Sequence, residues 1–178
     1  MIVKPLELVD EILQPFATIM GKDYHAYRNH VYRLIRLCNE LAEFNEEEHE
    51  KIQIAACFHD IGIWTGPSLD YLPPSENQAI RYLTKINKES WIPEITQMIT
   101  MHHAVRSCAG NQYKLVDLFR RADIADFSLG LFPMGIPRNR IAQIKKDIPN
   151  AGFHFMLLKR ALAWFIKNPL NPAPMFKW

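Results

Sequence analysis

The chain has 178 residues and a mass of 20.8 kDa, the length of one domain that buries about 70% of its unfolded surface. Apolar residues make up 48% and charged residues 22%, a balance that sustains a core and excludes disorder. Twenty-one Lys and Arg against nineteen Asp and Glu leave +2, too small a basic excess for a nucleic-acid partner.

In chain order, residues 1–5 lack the charged and then apolar layout of a signal peptide. No apolar run is long enough to span a membrane. Leu6, Val9, Ile12 and Leu13 predict a first amphipathic helix that ends near Gly21. Over 24–44, Val31, Leu34, Ile35, Cys38, Leu41 and Ala42 recur at spacings of three and four, which predicts a long helix. Asn45 is a good N-cap for the next, with Glu46, Glu47 and Glu48 where the helix dipole favours them. Residues 52–58 are apolar on nearly every side, so that helix is expected at the centre. Gly62 sits where a helix C-terminus calls for positive φ. Residues 65–74, with Gly66, Pro67, Pro73 and Pro74, read as a loop. Ser75 restarts a helix, and Gln78 completes a capping-box pattern.

Further helices are predicted over 91–103, with Pro93 in the first turn, then over 113–128, 139–146 and 153–167. Residues 108–112 read as a turn, 129–137 as a loop and 168–178 as an extended, proline-spaced tail. The expected fold is an all-α single domain over 1–178, with about seven or eight helices. Its core motif region is 24–128, and C-terminal helices and the tail occupy 137–178. Phe176 and Trp178 either pack on this domain or cover a partner subunit, leaving a homodimer open. Cys38, Cys57 and Cys108 are odd in number and widely spaced, with no Cys-x-x-Cys. They read as reduced thiols in a cytoplasmic protein and not as a thiolate zinc site.

Seven histidines punctuate the chain, and three places set one on an apolar helix face beside another ligand type. His59 and Asp60 are adjacent at the end of the buried 52–58 run. An imidazole nitrogen and a carboxylate oxygen suit a divalent ion, which would offset the cost of a carboxylate in apolar surroundings. The plain alternative is a hydrogen-bonded core histidine beside a solvent-facing aspartate. His30 lies on the inward stripe His30, Leu34, Leu37, Leu41, where a lone histidine is more often a satisfied core residue. Asp123 shares a stripe with Val116, Phe119 and Phe127 and needs a cation, which Arg120 one turn away could supply. Asp126 competes with it from the stripe of Leu115, Leu118 and Ala122.

His30, then His59-Asp60 twenty-nine residues on, then Asp123 sixty-three beyond, all on helices, resemble the HD-domain superfamily of metal-dependent phosphohydrolases. The likeness runs from about Tyr24 to Phe127. His30-Val31-Tyr32-Arg33-Leu34 and Ala55-Ala56-Cys57-Phe58-His59-Asp60-Ile61-Gly62 look like the family's first two motifs, and Arg121-Ala122-Asp123 its last. No proline falls between Phe16 and Gly66, so three of the four ligands ride on uninterrupted helices. The resemblance implies one divalent metal ion held by His30, His59, Asp60 and Asp123. It also implies hydrolysis of a small phosphorylated compound by metal-activated water, with Asp60 or Asp123 orienting the water and Asp60 the expected catalytic residue. Arg33 and Arg121 are the expected cations for the phosphate.

His102 and His103 follow Ile95 and Ile99 so that at least one faces inward. His102 is the expected catalytic partner and His103 a substrate contact, or the pair supplies ligands for a second ion. Dinuclear relatives in the family, di-iron oxygenases among them, carry a histidine on the helix after the His-Asp loop. Here that helix opens Ser75-Glu76-Asn77-Gln78 and has none. Glu76 could substitute, but the departure favours one metal and hydrolysis over two metals and oxygen chemistry. A non-catalytic metal-containing binding module is the third alternative.

Overall fold

Every regular element among the described residues of this computed structural model is helical; these residues are 6–104, 106, 110, 112–171 and 174–175. Cys108 and the greater part of its turn, the start at 1–5, and Phe176 and Trp178 lie outside them. The α-helices are α1 (Glu7–Leu13), α2 (Ala17–Met20), α3 (Tyr24–Asn39), α4 (Glu46–Phe58), α5 (Gly62–Thr65), α6 (Leu72–Lys85), α7 (Ile92–Met101), α8 (Lys114–Phe127), α9 (Arg138–Asp147) and α10 (Phe153–Lys167). Seven of them have ten residues or more. None is long and apolar enough to cross a membrane.

The expected single first helix is broken. Pro15 opens a 3-10 turn at Gln14–Phe16, because its ring nitrogen has no hydrogen to give to the helical ladder. Gly21, at φ +55°, closes α2. Helix α3 ends at Asn39 and not near Phe44, since the chain must become extended at Asn45 to cap α4. That cap is a full box: Glu48 N–H donates to Asn45 Oδ1 at 2.9 Å, and Asn45 N–H to Glu48 Oε2 at 3.1 Å. From Ile54 to Phe58 every residue is buried, as the apolar run predicts.

Two expectations near the His-Asp pair are corrected. Gly62 is not left-handed; it is the first residue of α5. It must be glycine because a Cβ there would lie 2.1 Å from the carbonyl oxygen of Tyr71. Helix α6 starts at Leu72, with Pro73 and Pro74 in its first turn, where a missing N–H costs nothing. Ser75 therefore caps no helix; its Oγ accepts from Gly62 N–H at 2.9 Å and ties α6 to α5. In the tail, residues 168–171 form a turn and not an extended strand, closed by Asn171 N–H to the Asn168 carbonyl at 3.0 Å.

Helix α3 packs along α8, α4 lies against both, and α7 bridges α4, α6 and α8. Their apolar faces bury Val31, Leu34, Ile35, Ile52, Ile54, Ile99, Val116 and Phe119 almost completely. Cys38 and Cys57 are free and buried, and burial pushes both thiols up. Helix α10 then returns to α3 and lays the Phe153 ring on that of His30, with centroids 4.2 Å apart and planes 13° from parallel.

Candidate metal centre

The four helices deliver five polar side chains to one buried point. His30 comes from the middle of α3, His59 and Asp60 from the end of α4, His102 from the end of α7 and Asp123 from α8. His30 Nε2 lies 3.0 Å from His59 Nε2 and 3.5 Å from Asp123 Oδ1. Asp60 Oδ2 lies 3.4 Å from His59 Nε2 and 3.9 Å from His30 Nε2. His102 Nε2 stands 3.5 Å from the other Asp60 oxygen. Ligands bound at roughly 2.1 Å stand about 3.0 Å apart at right angles and about 3.4 Å apart in a tetrahedron. The donor separations, from 3.0 to 3.9 Å, start within that spacing and reach slightly beyond it.

The outward nitrogens settle the protonation. His59 Nδ1 faces the Ala56 carbonyl at 2.9 Å, and His102 Nδ1 the Ile99 carbonyl at 2.5 Å. His30 Nδ1 faces Asp126 Oδ2 at 2.7 Å. None of these oxygens carries a hydrogen at neutral pH, so each Nδ1 donates, and the inward Nε2 atoms of His30 and His59 are left facing each other. Two lone pairs at 3.0 Å repel unless a cation stands between them. A proton on His59 is disfavoured, because burial drives that imidazole down to about 3 despite the nearby Asp60. Asp60 Oδ1 and His102 Nε2 are buried with no hydrogen-bond partner. The cluster of His30, His59, Asp60 and His102 can therefore hold a metal ion, and Asp123 adjoins it. Asp60, His102 and His103 form a second group of donors within 4.8 Å of one another. Glu76 belongs to neither group.

The electrostatics divide the three buried carboxylates. Burial raises Asp123 to about 6, with Asp60 and Asp126 adding to the shift and His102 and His30 opposing it. Burial also opposes the charged form of Asp60, but His59, His102 and His30 outweigh it and hold the carboxyl well below its usual range. Asp126 is held low in the same way, against burial, by hydrogen bonds from His30 and Arg33. His102 is raised: burial works against the imidazolium, and Asp60 and Asp123 overcome it.

Other expected contacts fall elsewhere. Arg33 does not face the centre: its Nε and Nη2 clamp Asp126 at 2.7 and 2.8 Å, and its side chain is 2% exposed. Asp126 is thus tied to His30 and Arg33, and Asp123 is the carboxylate that adjoins the cluster. Arg121 is turned away to the 129–137 loop, where Nε and Nη2 donate to the Met134 carbonyl at 2.9 and 2.7 Å. Gly135, at φ +93°, leaves room for that guanidinium. Arg120 pairs with Asp117 and not with Asp123. His103 does reach the site, bonded through Nε2 to the Tyr71 hydroxyl. Sequence reasoning missed Tyr27, whose hydroxyl donates to the Cys57 carbonyl at 2.9 Å and whose ring lies beside those of His30 and His59. Its place three residues before His30, on the same face, was the available signal.

A cavity of about 320 Å³ opens over the cluster, with His30, Asp60, His103 and Asp123 among its lining residues and α10 along one wall. No protein-family model matches the chain, and neither a curated protein nor a solved structure does.

Proposed function

We propose that the protein is a metal-dependent phosphohydrolase of the HD type, acting on a small phosphorylated compound. The observation that carries this reading is the set of three buried histidines. Each has its Nδ1 tied back and its Nε2 turned toward Asp60 or Asp123, beneath a cavity large enough for a small molecule. His30, His59, Asp60 and Asp123 hold one divalent ion. Such an ion supplies a water of lowered pKa and polarises a phosphoryl oxygen. Asp60, through its unpartnered Oδ1, orients the attacking water. His102, whose Nε2 stands 3.5 Å from Asp60 Oδ1, would donate the proton to the leaving oxygen. Asp126 acts through His30 by fixing its ring.

The proximity of His102 and His103 to Asp60 favours a second reading, in which these three residues would help to hold a second ion and the chemistry would be that of a di-iron oxygenase. Metal analysis of protein purified without oxygen separates the two, together with phosphate release from a phosphoester panel in Mn, Co, Mg, Ni and Fe. One ion per chain and phosphate release support hydrolysis. Two irons and oxygen consumption support the second reading. One ion with no turnover on any ester leaves a non-catalytic binding module. Metal loss in His59→Ala with undiminished phosphate release refutes the hydrolase mechanism.

A further inference from the structure

The cavity joins two chemistries. Its floor carries His30, Asp60 and Asp123, while Ile63, Leu69, Phe153, Leu157, Leu158 and Met175 form its sides. The polar side chains on those sides already have partners, and Arg160, 37% exposed, keeps N–H donors beyond the one it uses. His154 Nε2 donates to the Phe127 carbonyl at 2.9 Å, and its other nitrogen meets Asn150. Arg160 Nη1 donates to the Ile63 carbonyl at 2.9 Å, and the guanidinium also lies near Asp23 and over the Trp64 ring. Tyr71 is bonded to His103. A nucleoside would bring ribose hydroxyls and a base edge into this space, and buried polar groups without partners weaken binding. An apolar body would instead leave water for apolar walls.

We infer that the substrate is an amphiphile: a small anionic head on the metal centre and an apolar chain or ring along α10. The phosphate identity of the head rests on the function proposed above; the apolar body rests on the cavity alone. The volume equals that of about ten waters at about 30 Å³ each. That is room for a body of about ten heavy atoms and not for a long acyl tail.

The test uses the full chain loaded with Mn(II) and a series of n-alkyl phosphates from ethyl to decyl, with nucleoside monophosphates for contrast. The expected kcat/KM rises about twofold to fourfold per methylene until the cavity is full, then levels. Nucleotides fall below butyl phosphate. Binding of the matching n-alkylphosphonates, which cannot be hydrolysed, is measured by calorimetry and follows the same series. Ala161 lines the cavity from an exposed position on α10, so Ala161→Trp fills the space without entering the core. In that variant ethyl and hexyl phosphonates are expected to bind alike. Chain-length-dependent phosphonate binding without phosphate release would overturn the phosphohydrolase reading and leave the amphiphile standing. Phosphate release with no dependence on chain length, or with nucleotides preferred, would overturn the amphiphile and leave the hydrolase. Phosphonate binding that does not change with chain length in the parent chain, or no binding at all, also overturns it.

Discussion

Replacing Asp126 by Asn separates two roles that one carboxylate performs. Its oxygens accept from Arg33 at 2.7 and 2.8 Å and from His30 Nδ1 at 2.7 Å, and both the Arg33 and Asp126 side chains are 2% exposed. Asn cannot neutralise the guanidinium, whose other partners among the described residues are the carbonyls of Ile148 and Pro149 at 3.5 and 3.2 Å. Leaving a buried charge uncompensated costs about 3–5 kcal/mol, a large fraction of a domain's total of about 5–15 kcal/mol. Urea unfolding of metal-free protein measures this. The double variant Arg33→Met/Asp126→Leu removes both charges and should regain most of the loss. It does not restore the acceptor on His30 Nδ1, so its affinity for Mn(II), read by calorimetry, should stay about 10–100-fold below the parent. Stability then recovers while metal affinity does not. A cost under about 1 kcal/mol for the single variant would place the pair with solvent-screened ones and refute the energetic argument. Full metal affinity in the double variant would refute the anchoring role.

Gly62→Ala puts a Cβ 2.1 Å from the Tyr71 carbonyl. It should cost about 1–3 kcal/mol by forcing α5 and α6 apart, read as a lower midpoint in thermal unfolding; an unchanged midpoint rejects the close approach. Asp10 is held below the usual carboxylate range: burial opposes this, but the hydrogen bonds from Arg28 and Tyr32 outweigh it. Its contribution is therefore present above about pH 4 and lost as pH falls through the lower folded value. With side chains 27% and 35% exposed, it should stay under about 1 kcal/mol. Asp10→Asn should flatten the acid limb of the stability profile by that amount, and a limb of unchanged slope counts against the pair. Mn(II) at a hundred times its dissociation constant should stabilise the chain by about 2.7 kcal/mol. A chelator should reverse the gain and His59→Ala abolish it; a gain that persists in that variant would place the ion elsewhere.

The donor set was legible because its members break a local rule. His30 and Asp123 interrupt apolar stripes, and His59-Asp60 closes a run buried from Ile54 onward, so each needs a partner that its own helix does not supply. Helix α10 was legible in full, 153–167, from periodicity and its flanking turn residues. Partners from distant chain were not legible. Arg33 meets an aspartate 93 residues away, and Arg121 a carbonyl in a loop whose path only the folded chain decides. The Gly62 assignment failed for the same reason, because the atom that forbids a side chain there belongs to Tyr71 on the next element. Local signals rank turn glycines by φ; they carry nothing about a carbonyl brought in by tertiary packing.

Charge balance at the buried centre bears on what the proposed ion must be. Three carboxylates, Asp60, Asp123 and Asp126, are buried with the guanidinium of Arg33 and the imidazoles of His30, His59 and His102. Arg33 cancels Asp126 through two hydrogen bonds, and His59 stays neutral because burial drives its pKa to about 3. Asp60 and Asp123 then remain, two negative charges in a region where uncompensated charge is expensive. Without a cation the cluster can take protons instead: burial has raised the Asp123 carboxyl to about 6, and Asp60 and Asp123 raise His102 against its burial. One divalent cation would balance the pair. A second divalent ion on His102 and His103 would bring two excess positive charges and take the His102 lone pair. It would require anionic ligands from solution, hydroxide or the substrate's own head. The count therefore favours one divalent ion, because a second would have to arrive with anions of its own.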